Sequence, residues 1–444
     1  MSDRPHLRYS TVASWWLSER IIGVVAGLVV QISLVRSLGV RDFGEVSYIL
    51  ALLAILAPIS YAGAAGLVTR AINENPSSER DILQAALRWR LYAAIAACVF
   101  GIVYWGIADN ANPARATLVL LAIAQIALIY QVIEFRYQAT MTPSELIPWR
   151  VVATLVGAAI KITVAFSTAD PFWVSLSFSA DFLLQALAQN VAYFKSVGVW
   201  LRPARNPIWS PWLAARAPWL LVSAVAELIY LKIDIVMLER LVGLDDTGLY
   251  AAAAKLSEAW YLVPGILMAA WFPLIWSPSE KSEYESQEKK LQSIFDLMVV
   301  MALGVAVCMQ VLGDWLIATL YGATFASAGL LLKIHIWAGV FIFMRAVLSK
   351  WLIAHDLLKY SLVSHGAGMT MNIGLNFILI PRYGAAGAAI STVISYAVSS
   401  WIILFFFPRT RPVGWMMTRA LLIPLRWRDL RNYVHQLGGR QHDH

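Results

Sequence analysis

Charged side chains recur inside long apolar stretches of this 444-residue chain. Each costs roughly 2.5–3.5 kcal/mol at the centre of a membrane helix, so such a group is functional by default. The cations are Arg20, Lys161, Lys232, Lys255, Lys333 and Arg345. The acids are Glu19, Glu227, Asp234 and Glu258, with Asp181 and Asp296 also inside apolar runs. Lys255 and Glu258 are three apart, share a helix face and can pair. Lys232 and Asp234 are two apart, so each needs a partner elsewhere. The cations exceed what local pairs would use. A cationic interior suits an anionic group such as a phosphate or diphosphate. The acids then serve ion coupling or charge pairing. Glu19, Glu134, Arg136 and Asp296 lie near the ends of their runs, where snorkelling to the interface is an equal expectation. Asn372 and Asn376 are four apart and present two amides on one face, for bonds between helices or for a polar cavity wall.

No Gly-x-x-x-x-Gly-Lys-Ser/Thr phosphate loop, nucleophile elbow or zinc spacing occurs in the sequence. No cofactor and no metal are expected. The histidines show no ligand spacing. Cys98 and Cys308 both lie in apolar runs and read as small buried hydrophobes. The longest polar stretch between apolar blocks, Ser277–Lys290, could hold no more than about four helical turns. With no room for an extramembrane donor site, a transporter is expected rather than an enzyme.

These groups must be positioned by membrane helices. The chain is 59% hydrophobic and 14% charged, against about 25% charged in soluble domains. Apolar blocks fall near 12–35, 43–69, 84–108, 115–138, 146–168, 171–194, 211–238, 249–274, 292–312, 325–349, 358–380 and 385–407. Each has the roughly 20 residues needed to cross a hydrocarbon core. The expected fold is an all-α polytopic membrane protein of about twelve transmembrane helices, in two six-helix repeats around a central cavity.

A repeated turn supports the two halves. Arg36-Ser37-Leu38-Gly39-Val40-Arg41-Asp42-Phe43-Gly44 and Arg240-Leu241-Val242-Gly243-Leu244-Asp245-Asp246-Thr247-Gly248 both read Arg-x-x-Gly-x-x-Asp-x-Gly. Each joins the first two spans of a six-span set, and its glycines suit a tight turn with φ > 0. The expected organisation is an N-terminal half at 1–196, a basic linker at 197–210, a C-terminal half at 211–408 and a basic interfacial tail at 409–444. Parallel repeats of this kind are a transporter architecture. The net charge of +8 gathers at alternate connections, which argues for topology and against nucleic acid. The positive-inside rule places both termini in the cytoplasm. The tail, with Trp415, Arg426, Trp427 and Arg428, reads as a segment on anionic lipid.

The order of several short motifs resembles a known family. Leu34-Val35-Arg36-Ser37-Leu38-Gly39 with Phe43-Gly44 is similar to its first hairpin. Asp234-Ile235-Val236-Met237-Leu238, Thr247-Gly248-Leu249-Tyr250 and Ala253-Ala254-Lys255-Leu256 resemble its seventh and eighth spans, closed by Phe272-Pro273-Leu274. Leu320-Tyr321-Gly322, and Asn372 and Asn376 followed by Leu379-Ile380-Pro381 and Tyr383-Gly384-Ala385-Ala386-Gly387, resemble its later spans. The family is that of the polysaccharide-repeat flippases, the O-antigen and exopolysaccharide translocases of the multidrug/oligosaccharidyl-lipid/polysaccharide exporter superfamily. The resemblance implies a flippase moving a polyprenyl-diphosphate-linked oligosaccharide across the bacterial inner membrane by alternating access, with membrane lipids and other polysaccharide-assembly proteins as partners. It implies a cationic cavity, for which the six cations above are the candidates. The alternatives are an ion-coupled drug or cation antiporter of the same fold and a membrane-embedded glycan-assembly enzyme.

Overall fold

The computed structural model describes residues 5–61, 65–107, 114–275 and 284–426, with side chains given for most of them. Glu227 lies outside the described side chains, and the tail from Trp427 onward lies outside the described residues. All regular structure among the described residues is helical.

The elements run α1 (Pro5–Tyr61), α2 (Ala65–Glu74), α3 (Glu79–Ile107), α4 (Ala114–Ala124), a 3-10 stretch and α5 (Ile133–Ala139). Then follow α6 (Ile147–Thr168), α7 (Pro171–Val197), α8 (Trp209–Leu241), α9 (Leu244–Glu258) and α10 (Leu262–Ile275). The last are α11 (Tyr284–Tyr321), α12 (Ala328–His335), α13 (Ala338–Ala354), α14 (Leu358–Ser400) and α15 (Arg411–Leu421).

Seven segments among the described residues are long and apolar enough to cross a membrane. Two of them, Thr11–Leu56 and Lys359–Phe406, run 46 and 48 residues. A straight helix of that length would reach about 70 Å, twice a bilayer core. Each is broken by a glycine in the left-handed region: Gly39 at φ 76° and Gly384 at φ 54°. Each is therefore two spans. With α7, α8 and the α9–α10 pair, the described helices make twelve spans.

The chain forms two compact units, residues 1–248 and 249–444. The first unit buries Ile82, Leu83, Leu87, Ile133, Tyr137 and Tyr193 at its centre. The second buries Phe295, Met298, Phe343, Met344 and Val347. The compact division falls after α8 rather than at the basic segment 197–210, because α8 packs along α1.

The repeated turn explains that packing. Gly39 and Gly243, equivalent in the repeat, both have positive φ, 76° and 100°. Gly44 and Gly248, also equivalent, let the two turns meet in a reciprocal way. A Cβ on Gly44 would overlap the Leu244 carbonyl oxygen, and one on Gly248 would overlap the Val40 carbonyl oxygen. Val40 and Leu244 are themselves equivalent. The motif is thus a self-complementary contact as well as a turn.

Two other expectations change. Cys98 is buried and its thiol donates to the Ala122 carbonyl at 3.0 Å, but Cys308 is exposed, on an outward face of α11. Helix α15 of the tail buries Val413, Met417 and Ala420 on the second unit and exposes Arg411, Trp415 and Arg419. Its apolar stripe, at spacings of four and three, is used for docking on protein.

Candidate functional site

Several of the charges inside the spans are neutralised within their own unit. In the first unit, Lys161 on α6 is buried and its ammonium binds the Asp181 carboxylate on α7. The same nitrogen lies 4.8 Å from the centre of the Phe178 ring. The close approach depends on Gly157, one turn before Lys161, where any Cβ would strike Asp181. In the second unit, Lys333 on α12 binds Asp314 on α11, and Gly329, again one turn before the lysine, admits that carboxylate. Gly-x-x-x-Lys on one helix against an Asp on its neighbour therefore occurs in both units. These two pairs are not equivalents in the six-span repeat.

Glu19 on α1 meets Arg150 on α6, with Nε to Oε1 at 2.7 Å. The same guanidinium holds Glu134 of α5 at 2.5 Å, and Gln138 donates to the other Glu134 oxygen at 2.8 Å. Arg136 pairs with Glu79 at 2.7 Å. So Glu19, Glu134 and Arg136, read as possible snorkelling groups, instead join half-buried ion pairs, because α1, α3, α5 and α6 converge at this end of the unit. Asp296, expected near an interface, is 1% exposed and accepts from Gln292 at 2.7 Å.

Arg20 follows Glu19 and so projects about 100° away around the helix. It is exposed, and among the described residues it has no ion pair. On α8, Asp234 is buried and Lys232 half-buried; on α9, Lys255 is exposed and Glu258 half-buried. Helix α9 is regular through both, which keeps Lys255 and Glu258 on one face.

Arg345 on α13 is held by α14. One terminal nitrogen donates to Ser364 Oγ at 2.7 Å and to the Ser399 carbonyl at 3.2 Å. The other donates to Ser361 Oγ at 3.0 Å and lies 2.8 Å from His365 Nε2. Asn372 and Asn376 are fully buried, and Asn376 Nδ2 donates to Asn372 Oδ1 at 3.1 Å. Bonding within the helix is thus one use of these amides. Among the described residues no three His, Cys, Asp or Glu side chains gather as a metal ion would require.

Arg150, Asp314 and the serines around Arg345 were not singled out from sequence. Their partners lie 16 to 131 positions away, as Arg150 does from Glu134 and Glu19. One signal was available: a lysine four residues after a glycine in an apolar run, with an aspartate in the adjoining run.

Comparison with known proteins adds to this geometry. The chain is 26% identical over 211 residues to the "Probable flippase AglR" of Haloferax volcanii, covering 47% of this chain and 44% of that protein. It is 21% identical over 211 residues to the "Probable low-salt glycan biosynthesis flippase Agl15" of the same organism, covering 46% and 44%. The chain thus matches less than half the length of these relatives. Among solved structures, it superposes on the lipid II flippase MurJ in an inward closed conformation with TM-score 0.68 at 13% identity, covering 94% of this chain and 92% of that one. An inward-facing multidrug resistance MATE transporter gives TM-score 0.63 at 12% identity, covering 91% and 99%. These likenesses show a shared multi-span, all-α fold. The model of the family described as "Polysaccharide biosynthesis protein" matches residues 13–277, more than half of the sequence, and this membrane-spanning chain belongs to that family.

Proposed function

We propose that this protein is a flippase that moves a polyprenyl-diphosphate-linked oligosaccharide repeat unit across the bacterial inner membrane by alternating access, for surface polysaccharide synthesis. Both termini lie in the cytoplasm on this reading, as the basic connections favour. On this reading the six-span halves at 1–196 and 211–408 move against each other, and the packing of α8 along α1 is among the contacts that must change. The observation that carries the proposal is Arg20, an exposed intramembrane cation with no ion pair among the described residues, in a chain of the polysaccharide biosynthesis family. A guanidinium at that position supplies charge-assisted donors to a diphosphate. Lys232, Lys255 and Arg345, each of which also interacts within the protein, are further candidate cations. Lys161 and Lys333 are each neutralised by an aspartate and take structural places beside it. Both relatives are named as probable flippases, and one of them as a flippase of glycan biosynthesis, which supports the same reading.

The experiment is to delete the protein in a strain lacking paralogues and follow the lipid-linked glycan. The intermediate should accumulate on the cytoplasmic leaflet and return to normal with the wild-type protein but not with Arg20→Gln. Normal arrival in the periplasm without the protein would sink the proposal.

The MATE likeness keeps one other reading in view, export of organic cations. That chemistry needs an acidic path, so Lys232→Glu and Lys255→Glu would spare an exporter and abolish the flippase.

A further inference from the structure

A cavity of about 560 Å³ lies in the first unit, between α3, the basic segment before α8 and the first turns of α8. Its size is that of a pocket for a small ligand, roughly 300–1,000 Å³. It belongs to neither lysine–aspartate pair nor to the Arg150 network. Arg88, Arg205 and Asn206 supply its polar wall, and Trp89, Tyr92 and Pro207 its apolar one.

These three residues present donors, and Ser210, also in the lining, accepts from the Asn206 backbone at 3.2 Å. Arg88 Nε donates to Tyr92 Oη at 2.7 Å, which fixes the guanidinium and leaves its two terminal nitrogens without a partner among the described residues. Arg205 is exposed and has no ion pair among the described residues. Asn206 Oδ1 accepts from the backbone of Ile208 at 2.9 Å and Trp209 at 3.0 Å. That leaves the Asn206 amide nitrogen as the remaining donor. Arg80, Arg202 and Arg216 are exposed on the same elements. The acids of α3 are Glu79, which pairs with Arg136, and Asp81, two turns before Arg88. The site favours an anion with several acceptor oxygens.

Its depth says what carries the anion. Twenty residues counted back from Ile107, about one hydrocarbon thickness, end at Arg88. Directly along the helix from Arg88 run Tyr92, Ile95, Val99, Ile102 and Val103, all exposed. Their spacing of three and four makes one apolar stripe that begins at the pocket. A head held by the arginines would lay its chains along this stripe.

We propose that this pocket binds the phosphate headgroup of an anionic phospholipid, with the acyl chains on the outer face of α3. Basic pockets between membrane helices take such headgroups. The site is built from the first unit alone and does not depend on the transported substrate.

The test uses the full-length protein, delipidated in maltoside micelles, with bound lipid read by native mass spectrometry. The probes are dioleoyl phosphatidylglycerol, dioleoyl phosphatidylcholine and inorganic phosphate. Phosphatidylglycerol is expected to be retained, phosphatidylcholine to wash off, and phosphate not to displace the lipid. Arg205→Gln should weaken retention about fivefold, and Arg88→Gln with Arg205→Gln roughly 25-fold, while Arg205→Lys keeps it. Arg205 sits in an exposed segment, so its variant reports even if Arg88→Gln misfolds. Equal retention of phosphatidylcholine, displacement by free phosphate, or wild-type retention by Arg205→Gln would each overturn the site.

Discussion

The two lysine–aspartate pairs share a design but differ in burial, and that difference predicts losses of different size for the same substitution. The Lys161 and Asp181 side chains are 9% and 29% exposed; those of Lys333 and Asp314 are 24% and 66% exposed. Removing one partner of a buried pair leaves an uncompensated charge and costs about 3–5 kcal/mol. An exposed pair is worth about 0–1 kcal/mol. Lys161→Met should therefore destabilise the first unit by about 3 kcal/mol, near the low end because Asp181 is only partly covered by protein. Lys333→Met should cost less than about 1 kcal/mol, since Asp314 is two-thirds exposed and lies two turns from the end of α11, where a carboxylate can turn toward the interface. Combining Lys161→Met with Asp181→Leu, whose branched outline matches the carboxylate, should recover most of the loss, because well-packed apolar replacements of buried pairs are often neutral. The assay is detergent-induced unfolding of the purified protein, followed by tryptophan fluorescence, with the two single and one double variant compared. Equal losses at Lys161 and Lys333 would refute the argument from burial. A double variant no better than Lys161→Met would refute the claim that the stranded aspartate is the cause.

Three further outcomes follow from single sites. Gly44→Ala and Gly248→Ala should each cost about 1–3 kcal/mol by overpacking, read by the same unfolding assay, because each methyl would meet a carbonyl of the equivalent turn; loss at only one glycine would deny the reciprocal contact. Gly39→Ala, at φ 76° with open space around it, should cost only about 1–2 kcal/mol, from backbone strain alone. Arg345→Lys should lose the forked bonds to Ser361 and Ser364 and cost about 1–3 kcal/mol despite keeping its charge; an unchanged melting temperature would show that charge alone matters there.

The span count was legible because apolar length is a local property, and twelve blocks of about 20 residues became twelve helical spans. The repeated turn was legible for the same reason. Gly39 and Gly243 needed positive φ, and the pattern said so. What sequence could not carry was azimuth. Neighbouring residues differ by 100° around a helix, and a small rotation decides whether a charge meets a partner or an open face. Glu19 and Arg20 are the plainest case. Adjacent in sequence and alike in apparent cost, one is held by Arg150 and the other is exposed. The aspartates that pair with Lys161 and Lys333 stand on the neighbouring helix, 20 and 19 positions away, so spacing alone did not reveal the pairs.

This sorting sharpens the rule that an intramembrane charge is functional by default. A lysine one turn beyond a glycine, facing an aspartate across a close helix contact, has its charge satisfied where it stands. Its energetic place is the joining of two helices. On the proposed function, the charges available to an anionic cargo are those whose own unit does not neutralise them, and in the first unit Arg20 meets that condition. If the reasoning holds, Arg20→Gln should abolish glycan transfer with little change in the unfolding midpoint, whereas Lys161→Met should lower that midpoint first and reduce transfer only in proportion to the folded protein that remains. A stable, inactive Lys161→Met protein would return that lysine to the substrate path.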